Sequence, residues 1–98
     1  MNEISYESRC KTYTNALIRY GDQHQCAVAL EELSECQKEV CKFLRGIGNL
    51  ENLAEEIADA TICLEQLRLI FGVNDLVCKI MDEKINRLDL LLKQEAFK

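Results

Sequence analysis

The sequence predicts an all-α fold, a compact four-helix bundle with neighbouring helices antiparallel. Three observations carry this. The 98 residues contain no proline. The four glycines, at 21, 46, 48 and 72, cut the chain into segments of helical length. Within those segments apolar residues recur at the three-to-four-residue spacing of one helix face.

The first helix is expected from about residue 3 to Tyr20, with a loose stripe of Ile4, Cys10, Tyr13, Leu17 and Tyr20, and Gly21 as its stop. Asp22 is placed to cap the second, which runs to about Arg45 with Cys26, Leu30, Leu33, Val40 and Leu44 as its stripe. "GIGN" (46–49) breaks the chain again, and Asn49 can cap a third helix from about Leu50 to Phe71. Gly72 ends that helix. Asn74 can cap the fourth, which carries Leu76/Val77, Ile80/Met81, Leu88 and Leu91/Leu92 to about Ala96. Short connections set successive helices antiparallel. Nothing marks a linker, so residues 1–98 read as one domain.

Apolar residues make up 48% and charged residues 30%, which suits a folded chain, and the net charge of −5 argues against a nucleic-acid polymer as partner. Any phosphate ligand then needs a bridging cation. The opening "MNEISYESRC" lacks the apolar core of a secretory signal, and no apolar run approaches membrane-spanning length. Cysteines at 10, 26, 36, 41, 63 and 78 form no C-x-x-C pair. They read as buried thiols of a cytoplasmic protein.

One pattern occurs twice: "EELSE" (31–35) and "EEIAD" (55–59). Glu32 and Glu35 are three apart, as are Glu56 and Asp59, so each pair shares a helix surface. The midpoint of 32 and 59 and that of 35 and 56 coincide, between Arg45 and Gly46. An antiparallel hairpin about that turn brings Glu32 level with Asp59 and Glu35 level with Glu56. Set against Leu33 and Ile57, these groups flank the apolar stripes rather than occupy their centres. Cys63 and Ile70 continue along the side of Glu56 and Asp59, with Ile62 on the far flank, so that strip is too apolar for an ordinary wet face. Four carboxylates together are costly without a cation. An all-oxygen set suits Mg²⁺ or Mn²⁺. Di-iron bundles use Glu-x-x-His pairs, and the lone His24 belongs to none. On the fourth helix, Lys84 and Arg87 share a side. Beside a carboxylate-held cation they match what a polyphosphate needs.

EExxE at 31–35, ExxD at 56–59 and a Lys/Arg helix, with "LIRYGDQHQ" before and "FGVNDL" after, resemble the MazG-like all-α nucleotide pyrophosphohydrolases over most of the chain. The resemblance implies a Mg²⁺-dependent enzyme that cleaves a nucleoside triphosphate between the α and β phosphates, giving nucleoside monophosphate and pyrophosphate. It implies that Glu32, Glu35, Glu56 and Asp59 hold metal, that Glu31 orients water, and that Lys84 and Arg87, with Asn86 as a weaker candidate, contact substrate. Glu31 and Glu35 are then the catalytic candidates, and a spare carboxylate takes the proton of the attacking water. It also implies a dimer or dimer of dimers, with the strip around Ile62 and Ile70 either at the interface or under the first helix. The chain has no tryptophan, so an aromatic that stacks a base is Phe43, a tyrosine, or absent. A catalytically idle helical interaction module on the same scaffold is the alternative.

Overall fold

The computed structural model describes residues 3–96 and is all-α, with four helices: α1 (Tyr6–Tyr20), α2 (Asp22–Leu44), α3 (Leu50–Ile70) and α4 (Asn74–Ala96). Each boundary has a local cause. Ser5 caps α1, its side chain accepting from the Ser8 N–H. Gly21 alone joins α1 to α2. Asp22 does not cap α2 as expected; it is the first helical residue, and α2 begins with no side-chain cap bond. Its carboxylate there still favours the positive end of the helix dipole. Asn49 caps α3 by accepting from the Asn52 N–H at 3.1 Å. Asn74 likewise falls inside α4, as its first residue, and accepts from Arg68 Nη1 at 3.5 Å.

The two longer turns share one device. The Ile47 N–H returns to the Lys42 carbonyl, and the Val73 N–H to the Arg68 carbonyl, both at 3.0 Å. Each closure wraps around a glycine with positive φ, 76° at Gly46 and 62° at Gly72. That is the Schellman geometry, in which a Cβ is penalised.

Packing among the helices is uneven. α2 and α3 form a close antiparallel hairpin. α1 lies across it through Tyr13, whose hydroxyl donates to Glu65 Oε2 at 2.5 Å. Burial, and then that bond, push the Tyr13 phenol up to about 12. α4 has no buried residue, and every residue from 78 to 96 is exposed. The radius of gyration is accordingly 16.9 Å, against about 13 Å for a close-packed chain of this length.

The buried set is small: Tyr13, Gln25, Ala29, Glu39, Ala60 and Cys63. It differs from the expected stripe of α2, where Leu30 is 72% and Leu44 84% exposed. The reason is that α2 turns a different face to α3. Gln25, Ala29, Glu32, Cys36 and Glu39 alternate by four and three along the hairpin seam, and the leucine stripe sits on the adjoining flank. The cysteines also differ from expectation. All six are free, but only Cys63 is buried, while Cys41 and Cys78 are exposed.

A Cβ on Gly48 would fall on the Phe43 ring, closer than atoms can pack. Phe43 is 36% exposed and can turn away, so Gly48→Ala is expected to cost about 0.5–1.5 kcal/mol by forcing that ring off its rotamer. Thermal melts of Gly48→Ala in wild-type and Phe43→Ala backgrounds check this, because the cost should vanish in the second.

A candidate acidic metal centre on the hairpin seam

Ligand oxygens of Glu32, Glu56 and Asp59 lie within 4.8 Å of one another. They come from two helices, and the turn at 46–49 sets their level. Ala29, Ala60 and Cys63 line the same seam and are small, so the helix backbones approach closely there. Glu32 and Glu56 are half-buried at the seam and Asp59 is exposed at its edge.

The electrostatics are those of crowded acids. The Glu32 carboxyl is held above its usual range, first by desolvation, then by Asp59 and Glu56. Glu56 is raised too, by desolvation and then by Asp59, Glu35, Glu39 and Glu55. Desolvation, followed by Glu32 and Asp59, raises the Cys63 thiol, which marks that buried side chain as a wall of the site. Glu56 Oε2 is sealed from solvent with no hydrogen-bond partner. An orphaned carboxylate oxygen in an all-oxygen cluster fits a hard divalent cation, and the donor set contains nothing that favours a soft one.

Comparison of the chain with protein-family models, curated proteins and solved structures finds no match.

Other residues named from the sequence are distributed as follows. Glu35 is outside the group of three. Its Oε1 accepts from Lys38 Nζ at 3.2 Å and its side chain is half exposed, although its charge reaches both Glu32 and Glu56. Glu31 is exposed. Lys84, Asn86 and Arg87 are exposed on α4 and make no hydrogen bond or ion pair with the cluster among the described residues. Ile62 is 44% exposed and Ile70 half-buried. Phe43 is at the turn, and His24 stacks loosely on Tyr20 with ring centroids 5.5 Å apart.

Sequence reading missed Glu39. It is only 9% exposed, its Oε1 accepts from Lys42 Nζ at 3.0 Å, and its Oε2 is sealed without a partner. The signal was present: Glu39 follows Glu32 by seven residues, two turns on the same face.

A raised carboxyl pKa has a definite consequence for stability. The protonated form is favoured in the fold, so the contribution is full below the ordinary value of 4.5 and is lost as pH rises through the raised value. Glu56→Gln mimics the protonated state at every pH. In EDTA, the variant is expected to melt with wild type in acid and progressively above it towards neutrality. A difference that does not change with pH would show that the Glu56 carboxyl is not held up.

Proposed function

We propose that the protein is a Mg²⁺-dependent nucleoside triphosphate pyrophosphohydrolase of the MazG-like kind, with Mn²⁺ able to replace Mg²⁺. The observation that carries this reading is the trio Glu32, Glu56 and Asp59, within 4.8 Å and including a sealed, unpartnered Glu56 oxygen. A divalent cation held there supplies neutralising charge to phosphates and acidifies a bound water.

The chain's own residues divide the remaining work. Glu32, Glu56 and Asp59 hold the cation. Glu35, whose Oε2 is left unengaged by Lys38, accepts a proton from the attacking water, and Glu31 orients water at the exposed edge. Asn86, Lys84 and Arg87 receive the triphosphate. Helical spacing puts Lys84 within the apolar stripe of α4, between Ile80/Met81 and Leu88, with Arg87 at its edge. Whatever covers that stripe also covers Lys84. A second copy of the chain is the natural cover, since α2 exposes Leu30, Val40 and Leu44 while α4 exposes Ile80, Ile85, Leu88 and Leu91. The active form is thus a homo-oligomer, with the cations of one copy facing the carboxylates of the other.

A second reading, the idle interaction module, draws on the same exposed apolar faces. Pyrophosphate release from a panel of ribo- and deoxyribonucleoside triphosphates, in Mg²⁺ and in EDTA, separates the two. Mg²⁺-dependent release from any nucleotide supports the enzyme. No release from any of them supports the module.

A further inference from the structure

Among the described residues three sealed side-chain polar atoms lack a hydrogen-bond partner. Two, Glu39 Oε2 and Glu56 Oε2, are acceptors on the acidic seam. The third, Arg9 Nε, is a donor, and it lines a separate cleft between α1, α3 and the start of α4. That cleft holds about 310 Å³. Its walls on α3 include Thr61, Glu65 and Arg68, which lie more than about 100° round the helix from Glu56. It is not part of the acidic site.

The cleft is short of anions. Arg9 Nε is 3.3 Å from Glu65 Oε2, but without hydrogen-bond geometry, and the same oxygen already accepts from Tyr13. Arg68 has no carboxylate within ion-pair distance among the described residues. Its guanidinium reaches only Asn74 Oδ1 at 3.5 Å, Met81 Sδ at 3.6 Å and Cys78 Sγ at 3.9 Å. Those are weak acceptors for a five-donor group. Arg9 shares Glu65 with the Tyr13 hydroxyl and lies over the Tyr6 ring at 5.8 Å from its centroid, while Arg68 has no anion among the described residues, so two guanidiniums face one carboxylate in a chain whose net charge is −5. The rest of the lining is mixed, with an aromatic and apolar wall from Tyr6, Leu64 and Leu69 and polar groups from Cys10, Thr61 and Asn74. A planar fork of donors beside such a wall is built for a small oxyanion on an aromatic body.

We propose that this cleft binds an aryl oxyanion, with Arg68 and Arg9 taking the phosphate or carboxylate head and Tyr6, Leu64 and Leu69 packing against the ring. The site is independent of the cation centre and of the reaction assigned to it.

Titration of the ¹⁵N-labelled protein in EDTA tests this, with phenyl phosphate, benzoate and inorganic phosphate as probes. Saturable shifts centred on the amides of Tyr13, Leu64, Glu65 and Leu69 are expected with an aryl probe, and weaker ones with inorganic phosphate. Whichever of phenyl phosphate and benzoate binds tighter names the head group. Arg68→Gln should weaken binding roughly tenfold or more, since a charge-assisted bond is lost, and Glu56→Gln should leave it unchanged. Arg68→Lys keeps the charge without the fork and should fall between; it replaces Arg68→Gln if that variant does not fold. Absence of saturable shifts in the cleft at millimolar probe overturns the proposal. So does unchanged affinity in a folded Arg68 variant.

Discussion

Glu56→Gln is expected to abolish Mg²⁺-dependent pyrophosphate release, by at least about 100-fold, while making the cation-free protein more stable. The two effects have one origin. Glu56 is half-buried and partly desolvated, with Asp59, Glu35 and Glu39 as acidic neighbours, and it carries a sealed oxygen with no partner. On the proposed reading its charge is a liability without a cation and a ligand with one. The order of stability should therefore invert with conditions. In EDTA at neutral pH the variant melts above wild type. With Mg²⁺ at a hundred times its dissociation constant, wild type gains about 2.7 kcal/mol. For a chain of this length that is roughly 10–20 °C. The variant, with a ligand removed, gains much less, and the order reverses. Melting curves of both proteins in EDTA and in Mg²⁺ decide the matter. If neither protein responds to Mg²⁺, the trio does not hold a cation and the proposed reaction loses its basis. Asp59→Asn should reproduce the loss of activity, and its melting behaviour provides an independent check on the same cluster.

The fold was readable from the sequence where chemistry is local. Glycines at 46 and 72 close Schellman turns that other residues disfavour, so the helix ends were written in those letters. The level of the acids followed from counting residues about the turn, and Glu32 and Asp59 do lie together. Facing was harder. The expected stripe of α2 followed its largest apolar residues, yet the residues packed towards α3 include Gln25, Ala29 and Glu39. Periodicity reveals that a helix has an apolar face but not which neighbour covers it. Here the leucine flank is left outside, and the seam is filled by small and polar side chains. Glu39 was hidden for the same reason, since a glutamate beside Lys42 reads as a surface pair. The caps at Asp22 and Asn74 each missed by one residue, which is the usual reach of local signals at helix ends.

If α4 forms the proposed interface, Leu88→Asp is expected to separate the copies into monomers and to remove the proposed activity without touching the acidic seam. Leu88 is 56% exposed on α4, a helix with no buried residue, in a stripe with Ile80, Met81, Ile85 and Leu91. Exposing such a stripe is costly unless another surface covers it, and a short carboxylate in it, unlike the long stem of Lys84, cannot reach water from under that cover and opposes it. Light scattering should find wild type as a dimer or larger and the variant at the mass of one chain. A monomeric wild type would refute the arrangement at once. Loss of activity in Leu88→Asp alone could reflect a misplaced helix, so a complementation test is sharper. On the proposed reading Glu56→Gln removes a cation ligand and Lys84→Ala a phosphate contact, and each alone should be inactive. If Lys84 of one copy serves the carboxylates of the other, a mixed dimer contains one site with both defects and one site with neither. A statistical mixture should then recover about a quarter of wild-type activity, because half the dimers are mixed and each has one intact site. If Lys84 serves its own chain, every site in the mixture carries a defect and no activity returns. The comparison needs only a mixing step that exchanges subunits, and its outcome depends on which chain supplies the cation rather than on how stable either variant is.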